Sequence, residues 1–145
     1  MTTTIAKDFH WEMAHRLPFH EGGCRNIHGH SYSMRVEIEG EPDANGMVLD
    51  YYDLKAIVQP LVDRLDHSFL CDRADTVMIQ FFETAFAERP LKVNYLDMPT
   101  TAENIACYIM NELAPALRSI TNIKALRVRV HETARTFAEV QIMLR

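Results

Sequence analysis

An α+β fold, an antiparallel sheet with helices layered on one face, is predicted by three features of the sequence. Two stretches of alternating apolar and polar residues open the chain, apolar residues at helical spacing fill its middle, and another alternating pair closes it. In the first stretch Ile5, Phe9, Trp11, Met13 and His15 share the odd-numbered face, and Leu17-Pro18 ends the strand. From His28 to Gly40 the even positions His28, His30, Tyr32, Met34, Val36 and Ile38 oppose Ser31, Ser33, Arg35, Glu37 and Glu39, a long strand with a polar outer face. Pro42-Asp43-Ala44-Asn45-Gly46 has the composition of a hairpin turn, with Met47 to Leu49 as a short returning strand. Asp50 or Asp53 caps a helix carrying Leu54, Ile57, Val58, Leu61 and Leu65, which delivers Asp66-His67 at its C-terminal end. Val77, Met78, Phe81, Phe82, Ala85 and Phe86 mark a second helix, stopped by Arg89-Pro90, and Leu91 to Tyr95 reads as a brief strand. Thr100 and Glu103 stand at capping-box spacing before Ile105, Ile109 and Leu113 of a third helix. Leu126, Val128 and Val130, then Val140, Ile142 and Leu144, alternate as a closing hairpin.

Length and composition narrow the function. With 145 residues, 48% of them hydrophobic and 24% charged, and no repeat, low-complexity stretch or linker, residues 1–145 read as a single domain able to bury its own core. Three cysteines do not describe a secreted disulfide framework. There is no apolar run of signal-peptide or membrane-span length, so no membrane partner and a cytoplasmic location are expected. A net charge of -5 argues against a general affinity for nucleic acid.

Seven histidines say more than the charge does. His28 and His30 are two apart on a strand and leave its same face, so their ring nitrogens can share one ion. His15, on the buried face of the neighbouring strand, would complete a set of three neutral imidazoles. Three nitrogen ligands leave a zinc ion one open position, as in catalytic sites. Cys24 would instead close the shell of a structural site, and residue types alone leave both arrangements open. Cys24 itself reads as a small buried side chain, a zinc ligand or a nucleophile or base; its polar, glycine-rich surroundings make the buried reading the weakest. Asp66-His67 is either an ordinary helix end or an acid-base pair in which the carboxylate fixes the imidazole tautomer. Glu132 shares the inward face of Leu126, Val128 and Val130, where a carboxylate requires a partner, such as the paired N–H donors of a guanidine-like heterocycle. Glu103 reads as a helix cap rather than a ligand.

Five motifs in order, Ala14-His15-Arg16-Leu17, Cys24-x3-His28-Gly29-His30-Ser31-Tyr32, Leu65-Asp66-His67, Pro99-Thr100-Thr101-Ala102-Glu103-Asn104 and His131-Glu132-Thr133, resemble those of the 6-pyruvoyl-tetrahydropterin synthase superfamily over nearly the whole chain. The resemblance implies the T-fold, in which subunits join sheets edge to edge into a barrel, commonly a trimer stacked as a hexamer. The three-residue spacing from Cys24 to His28 is similar to that of bacterial 6-carboxy-5,6,7,8-tetrahydropterin synthases of the queuosine and deazapurine pathway. By that resemblance His15, His28 and His30 would bind zinc and Cys24 would be the catalytic base. Asp66 and His67 would relay protons, across a subunit boundary, and Glu132 would anchor the pterin.

The reaction so implied converts 7,8-dihydroneopterin triphosphate to 6-carboxy-5,6,7,8-tetrahydropterin, releasing acetaldehyde and triphosphate without a redox cofactor. The alternatives are a 6-pyruvoyl-tetrahydropterin synthase, which stops after triphosphate loss, and a noncatalytic zinc- or pterin-binding protein. A folate-pathway aldolase is disfavoured by Cys24, which relatives of that type tend to replace with an acid. Arg16 and Arg25 are candidates for holding the triphosphate. The stretch from Cys71 to Met98 is longer than in compact members of the superfamily, and is expected to cover the pocket mouth or thicken the subunit interface.

Overall fold

The computed structural model describes Met1–Arg145. Its elements are β1 (Thr3–His15), a 3-10 turn at Gly23–Arg25, β2 (His28–Gly40), α1 (Tyr51–Leu65), β3 (Ser68–Asp72), α2 (Thr76–Ala85), β4 (Val93–Leu96), α3 (Ala102–Arg118), β5 (Ile123–Thr133) and β6 (Thr136–Met143). The α+β arrangement expected from the alternation is the one adopted. The strands form one sheet in the order β4-β3-β1-β2-β5-β6. The four long strands pair antiparallel. The short β3 and β4, of which only β4 was foreseen, extend the sheet with parallel pairings.

Register follows the hydrophobic pattern, because a slip of one residue would turn every apolar side chain outward. Phe9, Trp11 and Met13 of β1, Tyr32, Met34, Val36 and Ile38 of β2, and Leu126, Val128 and Val130 of β5 are buried together under α1 and α3. From the helices, Leu54, Val58, Leu61, Val62 and Leu65 meet Ile105, Ile109, Met110, Leu113 and Leu117 in the same core. Each such side chain contributes about 1.5–3 kcal/mol by leaving water. Truncating the fully buried Leu54 or Ile109 to alanine would cost about 2–5 kcal/mol.

Two local expectations are corrected. No strand forms over Met47–Leu49. The turn exists, with Asp43 Oδ1 accepting from the N–H groups of Asn45 and Met47 and Gly46 at φ 83°, where glycine is favoured. However, β1 and β5 occupy both edges of β2, so a returning strand has no edge to pair with. The cap of α3 is Thr101, whose hydroxyl accepts from the Asn104 N–H, and not Thr100, which is fully buried. Asp50, one of the two candidates, caps α1 by accepting from the Tyr52 N–H.

The 71–98 segment builds a second small core, in which Met78 and Phe82 of α2 pack on Phe69 and Cys71 of β3. It is tied to the end of β1 by Asp75. That carboxylate takes two 2.7 Å hydrogen bonds from the Arg16 guanidinium and also accepts from the Met78 N–H in the first turn of α2. No helix is long and apolar enough to cross a membrane.

Candidate metal centre and adjoining cleft

The ends of β1 and β2 build the centre. Their register places His15 opposite His28 and Met13 opposite His30, so all three imidazoles leave the inward face at one end of the sheet. A Cβ at Gly29 would stand 3.1 Å from the Met13 carbonyl oxygen, so glycine between the paired histidines lets the two strands approach. Ring centroids lie 4.6 Å apart for His15 and His28, 5.3 Å for His15 and His30, and 5.1 Å for His28 and His30. One nitrogen from each ring falls within 4.8 Å of the others, an arrangement that can hold a metal ion.

The far side of two of the rings is already engaged. His15 Nδ1–H donates to the Thr100 carbonyl at 2.8 Å, with the Thr100 hydroxyl 3.2 Å away, and His28 Nδ1–H donates to the Asn26 carbonyl at 2.8 Å. These contacts leave Nε2 of both rings as the free lone pair, as is usual for metal-binding histidines. The Nε2 atoms of His15 and His30 are buried without a hydrogen-bond partner. Unpaired nitrogens at such depth are costly unless something binds them, and a divalent cation fits three neutral imidazoles. Burial lowers the His15 pKa to about 4, against the pull of the Thr100 carbonyl, so the ring is neutral at physiological pH. His30 is also lowered, first by burial, although the Glu132 carboxylate opposes this.

Glu132 borders the cluster. It occupies the point where the β5–β6 register slips by one residue, between His131 opposite Phe137 and Thr133 opposite Thr136. Such a bulge frees a side chain from the ladder and re-aims it. Its Oε1 is 3.7 Å from His15 Nε2 and its Oε2 is 3.9 Å from His30 Nε2, while the side chain keeps 24% exposure. The exposed part faces a cleft of ≈450 Å3 whose walls include Phe19, His20, Thr101, Glu103 and Phe137. Glu103 thus borders the cleft from the first turn of α3 and is not a member of the metal-binding set. Beneath the centre, fully buried Tyr32 stacks on Trp11.

The remaining candidates are not in the converging set. Half-buried Cys24 lies on the 3-10 turn of the loop joining His15 to His28, and its carbonyl accepts from the Leu17 N–H at 2.8 Å. Asp66 and His67 form the expected pair, His67 Nδ1–H donating to Asp66 Oδ2 at 2.8 Å. The Glu12 backbone N–H, 2.8 Å from Asp66 Oδ1, and then His67 hold the Asp66 carboxyl below the usual range. His67 adopts φ 54°, and its side chain is 79% exposed. It lines a depression of ≈440 Å3 that also includes Glu12, Ala14, His30 and Ser31. Of the two triphosphate candidates, Arg16 is committed to Asp75 and Arg25 is exposed. Thr100 was read from sequence only as a cap. The signal for its role was the threonine doublet, since only one of two adjacent threonines can cap a helix.

The sequence and the fold have counterparts in known proteins. The model of the 6-pyruvoyl tetrahydropterin synthase family matches residues 4–142. A 6-carboxy-5,6,7,8-tetrahydropterin synthase of Haemophilus influenzae is 36% identical over 142 residues, covering 94% of this chain and 97% of that protein. One of Rickettsia conorii is 31% identical over 132 residues, covering 90% and 94%. The solved 6-pyruvoyltetrahydropterin synthase of Plasmodium vivax matches with a TM-score of 0.78 at 19% identity, over 99% of both chains, a likeness of fold. The chain therefore has the T-fold and belongs to the 6-pyruvoyl tetrahydropterin synthase family, as an enzyme of the lyase class.

Proposed function

We propose that this enzyme is a zinc-dependent 6-carboxy-5,6,7,8-tetrahydropterin synthase. It converts 7,8-dihydroneopterin triphosphate and water to 6-carboxy-5,6,7,8-tetrahydropterin, acetaldehyde and triphosphate, a step of queuosine and deazapurine biosynthesis. The observation that carries this reading is the pair of unpartnered, buried Nε2 atoms of His15 and His30 beside Glu132, whose exposed part faces an open cleft.

His15, His28 and His30 would hold the zinc. When bound there, it supplies Lewis acidity to the adjacent hydroxyls of the substrate side chain, making their carbon-bound hydrogens easier to remove. Glu132 accepts hydrogen bonds from the guanidine-like edge of the pterin and so fixes where the side chain meets the imidazoles. Cys24, on its loop between the two ligand strands, takes a proton from side-chain carbon. His67 returns one, its tautomer set by Asp66. Because hydrogens move within the substrate, no redox cofactor is needed.

Within one chain His67 is exposed and outside the imidazole set, which supports a site completed by a neighbouring subunit. Two sheet edges support the same reading. β6 is an outer strand, and β1 pairs with β3 only at Met13 and Ala14, leaving Thr3–Glu12 open on that side. Joining such edges closes the homo-oligomeric barrel, a trimer or a hexamer of two trimers, and removes a liability to nonspecific pairing.

The test is to incubate the zinc-loaded protein with 7,8-dihydroneopterin triphosphate and measure acetaldehyde and triphosphate together. Equal release of both is expected. Triphosphate release with a retained three-carbon side chain and no acetaldehyde would assign the 6-pyruvoyl reaction instead. No release of either would leave a noncatalytic binding protein.

A further inference from the structure

Tyr32 follows His30 by two residues on β2, so it shares the inward face of the ligand histidines. It is fully buried. Its ring is parallel to Trp11 within 3° at 5.2 Å, and meets His30 edge-on at 5.3 Å and His15 at 6.2 Å. Clamped in this way, the phenol cannot swing its hydroxyl elsewhere. That hydroxyl is buried without a hydrogen-bond partner, and the two histidines its ring packs against are the ones whose Nε2 atoms the Glu132 carboxylate approaches. For packing alone phenylalanine would serve better, because an unpaired buried hydroxyl costs stability.

Glu132 is the group in need of a donor. Its oxygens approach the Nε2 atoms of His15 and His30 at 3.7 and 3.9 Å, too long for hydrogen bonds but near enough for the carboxylate to swing toward a cation held by those nitrogens. A carboxylate acting as a metal ligand would be lost to the cleft. A donor on its buried side engages one lone pair and leaves the others directed at the cleft.

We propose that the Tyr32 hydroxyl positions Glu132, donating to its carboxylate so that it is held away from the metal and toward the heterocycle of a pterin. Tyr32 is thus a positioning residue acting through Glu132, an inference that rests on the anchoring role given to Glu132 above.

Tyr32→Phe removes only the hydroxyl and keeps the ring stack. The probe is 7,8-dihydroneopterin, its binding followed by fluorescence, alongside zinc retention against a competing chelator. The expected result is binding about ten-fold weaker than wild type, with thermal stability unchanged or raised. Zinc should be held at least about three-fold more tightly, because the released carboxylate joins the imidazoles, and adding Glu132→Gln should abolish that gain. Pterin affinity equal to that of wild type overturns the proposal. If wild type itself fails to bind 7,8-dihydroneopterin, the functional reading falls. The chelator competition then decides on Tyr32 alone: tighter zinc in Tyr32→Phe supports the positioning role and unchanged zinc overturns it.

Discussion

His15 and Thr100, 85 residues apart in sequence, are joined by a buried 2.8 Å hydrogen bond from the imidazole Nδ1–H to the main-chain carbonyl. The contact fixes the ring's tautomer and ties the end of β1 to the residues that open α3, so metal site and helix packing are set together. The Thr100 hydroxyl, 3.2 Å from the same nitrogen, adds a smaller share. Thr100→Val keeps the carbonyl and loses the hydroxyl. Metal affinity should fall about ten-fold with the ligands intact, measured by chelator competition. Affinity equal to wild type would show that the main-chain contact suffices.

The thiol and the imidazoles should separate cleanly. Because Cys24 stands outside the converging nitrogens, Cys24→Ala should keep about one zinc per chain and abolish turnover. His28→Ala removes one of three ligands and should lose both. Metal analysis of the purified variants, paired with the acetaldehyde assay, reads the two outcomes. Zinc lost from Cys24→Ala would contradict the division of roles.

Glu132→Gln retains the shape but not the acceptor charge. Pterin binding should weaken by about ten-fold or more with zinc unchanged, read by titration with 7,8-dihydroneopterin. Undiminished affinity would reject the anchoring role.

Asp75 gives a pH-dependent prediction away from the centre. The Arg16 guanidinium, ahead of the Met78 N–H, holds its carboxyl below the ordinary value of 3.8. The unfolded chain therefore takes up the proton first as pH falls. The stabilisation is complete above about 3.8 and lost as pH drops through the lower native value. Asp75→Asn should lower stability by about 2 kcal/mol at pH 7, and the gap to wild type should shrink in acid, as thermal or denaturant unfolding will show. A gap independent of pH would mean that the Arg16 pair contributes little.

Much of this site was legible in the sequence because strand alternation is a strong rule. His15, His28 and His30 lie on inward positions of two strands whose apolar partners define the face, and Glu132 continues the inward face of β5. The alternation also carried the four long strands, and apolar residues at helical spacing carried the three helices. What escaped was set by tertiary competition. Met47–Leu49 has hairpin composition but no free edge to join. β3 is five residues long and buried, with too little pattern to separate it from the end of α1. Thr100 and Thr101 are chemically alike, and the contacts that bury Thr100 against His15 and the Arg16 carbonyl while Thr101 caps α3 come from distant parts of the chain. The pairing of Asp66 with His67 was readable from adjacency. Their placement at the rim of a depression shared with His30 was not, because it depends on the left-handed turn at His67 and the hydrogen bond from the Glu12 backbone.

The account rests on three imidazole nitrogens gripping one ion while sulfur stays out. X-ray absorption at the zinc edge of the loaded protein tests this directly. It should show only nitrogen and oxygen neighbours near about 2.0–2.1 Å, with the scattering pattern of three imidazoles. A sulfur neighbour at about 2.3 Å would place Cys24 on the metal and contradict the open catalytic position.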